Sequence, residues 1–139
     1  MSKHLDEVNK YVDSILSGKK IACIETKQAC QRYLDDLKND KYELRKKDPD
    51  FVIKVIESVF VHTEGETLEG EPLSDKPFLL EPWQKFIIYN LIGFYHKNTE
   101  IRKYKESFIM IPRKNGKALS LDTPIPSPSG WTTMVCEYF

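Results

Sequence analysis

SFIMIPRKNGK, Ser107–Lys117, is the stretch from which the rest of the chain is read. Ser107 to Ile111 is a short apolar run with charge before it and proline after it, which predicts a buried parallel strand. Pro112 to Lys117 adds two further basic side chains, an amide and a terminal Gly-Lys. A hydrophobic strand running into Gly-Lys is how a phosphate-binding loop begins. Backbone N–H groups curl around the phosphates and the lysine supplies a movable positive charge. The usual pattern is G-x-x-x-x-G-K-S/T, whose last hydroxyl holds Mg2+. Here Ile111 takes the first glycine position and Ala118 follows the lysine, and alanine cannot ligate a metal. On residue chemistry alone two readings stand. One is a phosphate loop; the other is a solvated Lys114-Asn115-Gly116-Lys117 turn after a strand, since Asn-Gly is a common turn dipeptide.

Upstream, hydrophobic spacing predicts helices. Leu5, Val8, Tyr11, Val12, Ile15 and Leu16 recur at three and four residues, and Gly18 follows as a natural cap. A second helix is expected from Ile24 to Leu37, ended by Asn39-Asp40. Tyr42 and Leu44 stand as isolated apolar residues in a charged connector, ELRKKD, whose basic run reads as solvated surface. Asp48-Pro49-Asp50 has the form of an N-cap aspartate, a first-turn proline and a first-turn acid, ahead of Val52, Val55, Ile56 and Val59 at helical spacing. Residues 62–77 hold glycines, prolines and acids with little to bury, which predicts a long surface loop. Glu81-Pro82 then opens a fourth helix, with Trp83, Phe86, Ile87, Asn90, Leu91 and Phe94 as its expected face. Gly93 either permits close packing of that helix or marks its end. The turn after it is expected at His96–Glu100, followed by a basic approach to the strand.

The 139 residues balance 21 basic against 21 acidic side chains. No Lys or Arg follows Lys117, whereas Asp122 and Glu137 do, so residues 1–117 carry a formal +2. That is too small a field to argue for nucleic-acid binding. Cys23, Cys30 and Cys136 form neither a CxxC pair nor a disulfide framework, which favours a reducing compartment. The polar start SKHLDEVNK does not read as a signal peptide. No apolar run approaches the roughly 20 residues of a membrane span. The histidines lack partners at metal-ligand spacing, so no zinc site is expected. These features point to a soluble intracellular protein. A lone strand cannot bury both faces, so the neighbours of Ser107–Ile111 are expected beyond the end of this chain.

Residues 5–117 resemble the N-terminal region of the large terminase subunit of tailed bacteriophages, the motor ATPase that packages DNA. The segments that carry the resemblance are Leu80-Glu81-Pro82-Trp83-Gln84-Lys85-Phe86 and Phe108–Lys117. In that family the phosphate loop lacks its first glycine and reads R-K-N-G-K before Ser or Thr. The resemblance implies that Gly116 and Lys117 contact ATP phosphates, with Lys114 and Asn115 shaping the loop. It further implies that Arg113 acts toward the γ-phosphate and that Gln84 recognises adenine. A glutamine amide offers the donor and acceptor that an adenine edge requires, and cationic groups offset charge on a transferring phosphoryl. The implied fold class is α/β: a helical N-terminal region followed by the first strand and phosphate loop of a P-loop NTPase sheet, here truncated. For the intact parent the resemblance implies ATP and Mg2+ as cofactors. Its partners would be double-stranded DNA, the small terminase subunit and the portal, in the cytoplasm of a bacterial host and away from membranes.

After Lys117 the composition changes. ALSLDTPIPSPSGWTTM, residues 118–134, alternates proline with polar residues and resembles the opening block of an intein whose first residue is alanine. The junction would be Lys117–Ala118. An alanine there cannot form a thioester, so the first residue of the following extein would attack that peptide bond directly. Val135–Phe139 departs from the intein pattern. The expected division is thus a helical region at 1–77, the start of the ATPase domain at 78–117, an intein block at 118–134 and an aberrant tail at 135–139. A broken frame is expected to leave the fragment inactive, with no tight binding of nucleotide. Two alternatives stay open: the N-terminal precursor of a split intein, spliced in trans to a complementary intein and terminase half, and a non-enzymatic helical interaction module.

Overall fold

A computed structural model of the chain describes residues 2–59, 77–110 and 132–136. The described residues form a mixed α/β domain with four helices, a two-stranded antiparallel sheet and a parallel strand pair. Helix α1 spans Lys3–Leu16 and buries Leu5, Val8, Val12 and Ile15. Ser2 is its N-cap, and Gly18 beyond its end takes a φ of 77°. That left-handed conformation costs a glycine little and lets the chain leave the helix sharply. Helix α2, Ile24–Lys38, buries Cys30, Tyr33 and Asp36.

Helix α3 spans Lys47–Val59, so Asp48 lies inside its first turn and is not the N-cap that the sequence suggests. The Asp50 N–H donates to Lys46 O at 3.2 Å, and the Asp48 carboxylate is occupied by the Tyr95 hydroxyl at 2.7 Å. Pro49 is tolerated because first-turn N–H groups have no intrahelical acceptor to lose.

Helix α4, Pro82–Gly93, is the central element and packs against α1 and α3. It buries Phe86, Ile88, Tyr89 and Ile92, whereas Trp83, Ile87, Asn90 and Leu91 are only partly covered. The expected face is therefore rotated. A helix that is apolar nearly all round gives no periodic signal for choosing a side. Around Phe86 the core is aromatic, with Tyr33 edge-on to Phe86 at 5.7 Å and to Phe94 at 5.8 Å, and Tyr11 tilted against Phe86 at 5.6 Å.

The charged connector contains strand β1, Tyr42–Leu44, where isolated apolar residues were expected. It pairs antiparallel with β2, Phe94–His96, and Leu44 lies opposite Phe94. A Cβ at position 93 would sit 2.8 Å from Leu44 Cδ1, the movable end of that side chain, so glycine gives room here without being strictly required. Gly93 thus both ends α4 and admits its neighbour. Asn98, at φ 63°, reverses the chain so that residues 101–103 return along β2 through Tyr95↔Arg102.

Strand β3, Glu106–Met110, has a neighbour within the chain, contrary to the expectation that its partners lie beyond Phe139. It pairs in parallel with β4, Thr132–Cys136, setting Phe108 opposite Met134. Thr132, Thr133 and Val135 give β4 the β-branched content that favours a strand. The intervening residues 111–131 are long enough for the crossover that parallel strands need. The expected loop at 62–77 lies outside the described residues except for Pro77.

Candidate functional site

Of the residues that the sequence singles out, Arg113, Lys114, Asn115, Gly116, Lys117 and Ala118 lie outside the described residues. The backbone of β3 ends at Met110, just ahead of them. Gln84 is described and sits at the head of α4, only 4% exposed. Its Oε1 accepts from the Glu81 N–H at 2.8 Å, the return bond of a capping box. Pro82 at the helix start has no N–H to satisfy, which suits it to that position.

Lys85, beside it, is buried and bonds Glu7 of α1 at 2.6 Å and Glu57 of α3 at 3.2 Å. Burial alone would lower the Lys85 pKa, but the hydrogen bonds it donates to Glu7 and Glu57 outweigh that and hold the value above normal. Burial likewise works to raise Glu7, and the bond from Lys85 overrules it, leaving the carboxyl below its ordinary value. Glu57 also accepts from Leu80 N at 3.2 Å, which fixes the chain as it enters α4. The head of α4 is thus pinned on three sides. Its polar groups bond one another, and the arrangement orients a helix.

A second position was not foreseen. Leu44, the first turn of α3, the end of α4 and Tyr95 surround a cleft of about 730 Å3. One wall is built on Tyr95. Its hydroxyl donates to Asp48 Oδ2 at 2.7 Å and accepts from Arg102 Nε at 3.0 Å. The Arg45 guanidinium lies 4.4 Å from the ring centroid, held by Glu43 at 2.7 Å, Glu100 at 2.6 Å and Thr99 O at 2.9 Å. The hydrogen bonds that Arg45 donates to Glu100 and Glu43 push its pKa further up. The basic run in ELRKKD is therefore only partly solvated surface, because Arg45 is a packed element of this wall. The sequence offered little to find it by. β1 and β2 are three residues each, too short for a periodic pattern, and their partners are far apart in the chain.

Among the described residues no group of three or more His, Cys, Asp or Glu could hold a metal ion, and no helix is long and apolar enough to cross a membrane. No protein-family model matches the chain, and no curated protein or solved structure matches it.

Proposed function

We propose that residues 5–117 are the N-terminal region of a tailed-phage terminase large subunit and that residues 118–134 open an alanine-class intein inserted at its phosphate loop. The intact parent would couple ATP hydrolysis to packaging double-stranded DNA into procapsids and would cut concatemers. Its partners would be DNA, the small terminase subunit and the portal. One observation carries the reading: LEPWQKF and FIMIPRKNGK occur in this order behind three helices, with Ala118 standing where the metal-binding hydroxyl belongs. The strand β3 immediately before the Gly-Lys segment supports it; its parallel partner β4 falls among the residues read here as intein and tail, so that pairing is no part of the ATPase sheet. In this reading Lys117 and Arg113 face the phosphates, with Lys114, Asn115 and Gly116 shaping the loop. For Gln84 to recognise adenine, its amide must give up the bond to Glu81 N–H or add the base to it. With alanine after Lys117 the loop lacks its hydroxyl ligand for Mg2+, so the fragment itself would be inactive, unless it is the split-intein precursor and splicing in trans supplies the missing Ser or Thr.

The test is to sequence the locus past the Phe139 codon and translate all frames. Intein blocks followed by Ser or Thr and a terminase remainder are expected, either after an interruption or as a separate gene that would complete splicing in trans. Unrelated sequence in every frame overturns the reading and leaves a helical interaction module.

A further inference from the structure

The cleft beside Tyr95 brings charged and apolar side chains to one surface. Its volume of about 730 Å3 lies within the range usual for small-molecule pockets. Val52 and Ile92 are buried in its floor, while the Phe51 ring stands at its rim with 66% of its surface exposed. The ring lies on the face of α3 that also turns Lys47 to solvent, so it adds exposed apolar surface at the cleft.

The charges around the cleft are unequal in availability. Four cationic and two acidic side chains line it. Arg45 is taken by Glu43 and Glu100, and Arg102 donates to the Tyr95 hydroxyl, which in turn donates to Asp48. Lys46 and Lys47 line the same cleft, are exposed, and form no ion pair among the described residues. Lys47 and Phe51 are one turn apart on α3, so a cation and a ring share one face. The remaining positive charge therefore sits beside the remaining apolar surface. The opposite wall is fixed in advance by the bonds that hold Tyr95 and Arg45, which reduces the ordering cost of binding.

We propose that this cleft binds a small organic anion with a flat apolar body, its carboxylate or sulfonate at Lys46 and Lys47 and its body on the exposed Phe51 ring, against the wall where the Arg45 guanidinium covers Tyr95. None of these residues belongs to the phosphate loop, so the proposal stands or falls apart from the reading above.

The test titrates the full chain with anilinonaphthalene sulfonate, following dye fluorescence, and then displaces the dye with naphthoate or with its neutral analogue naphthylmethanol. Saturable binding is expected, with naphthoate displacing the dye at a concentration roughly fivefold below that of the alcohol, the scale of an exposed ion pair. Phe51→Ala should weaken dye binding about tenfold through lost apolar contact. The paired changes Lys46→Glu and Lys47→Glu should weaken it about fivefold or more. All three positions are exposed, and acidic residues at the start of α3 suit its dipole, so the thermal midpoint should hold and report an intact fold. Non-saturable binding, equal displacement by acid and alcohol, or variants that bind as the parent does would each overturn the proposal. An acidic peptide displacing the dye while naphthoate does not would overturn it too, assigning the cleft to a protein partner.

Discussion

At the scale of single residues, Gln84 shows how one side chain supports two readings. In sequence it is a polar residue beside Trp83, suited to pairing with a base. In the fold it closes the first turn of α4 by accepting from Glu81 N–H. Replacing it with alanine leaves that donor without its partner in a partly buried place, at a cost of about 1–2 kcal/mol. Gln84→Ala should therefore lower stability in urea with no nucleotide present, whereas a side chain kept only for a ligand would leave the free protein unchanged. The cysteines make a comparable contrast. Cys23 is exposed at the start of α2, and Cys30 is fully buried, its thiol pKa pushed up by burial. Because the thiolate is the reactive form, iodoacetamide should label Cys23 in the native chain and reach Cys30 only after unfolding, as mass spectrometry of the digested protein would show.

At the scale of elements, four helices were legible because local signals suffice for them: the stripe of α1, Gly18 after it, and Glu81-Pro82 ahead of α4. Features set by distant partners were not legible. Neither Leu44 opposite Phe94 nor β4 beside β3 has a signature within its own few residues. Asp48 looked like a cap because its true partner, the Tyr95 hydroxyl, is far along the chain. Lys85 belongs to the same class, a charge in an apolar helix that makes sense only beside α1 and α3. Lys85→Ala removes the cation from Glu7 and Glu57 while their side chains keep 30% and 18% exposure. Partial access to water puts the cost near the low end for breaking a buried pair, on the order of 3 kcal/mol. Hydrogen exchange should quicken in α1 and at the head of α4 before the β1–β2 sheet is affected, because the lost bonds join the former.

At the scale of the whole molecule, three of the long-range polar ties join the helices to distant parts of the described chain. Lys85 joins α4 to α1 and α3, Lys103 bonds Asp36 of α2, and Asp50 of α3 accepts from both Tyr89 of α4 and Ser2 ahead of α1. Two of these ties set a pH dependence whose sign can be worked out. The Glu7 carboxyl titrates below its ordinary 4.5 in the fold, so its contribution is complete above that value and is lost as pH falls through the folded pKa. Lys85 and Lys103 behave oppositely. Burial would lower both, but the bonds that Lys85 donates to Glu7 and Glu57, and Lys103 to Asp36, raise them above 10.5. Their contribution is complete below 10.5 and is lost as pH rises through the folded values. Thermal unfolding followed by circular dichroism should thus show these ties intact between the two limits, with the midpoint falling toward strong acid and toward strong alkali. Because Glu7 and Lys85 are partners, Lys85→Ala should flatten the acid limb as well as weaken the alkaline one. Lys103→Ala should act on the alkaline limb and leave the Glu7 contribution on the acid side in place. Equal flattening of the acid limb by both variants would mean that the folded state titrates as one diffuse field, and the assignment of the acid limb to the Glu7–Lys85 pair would be wrong.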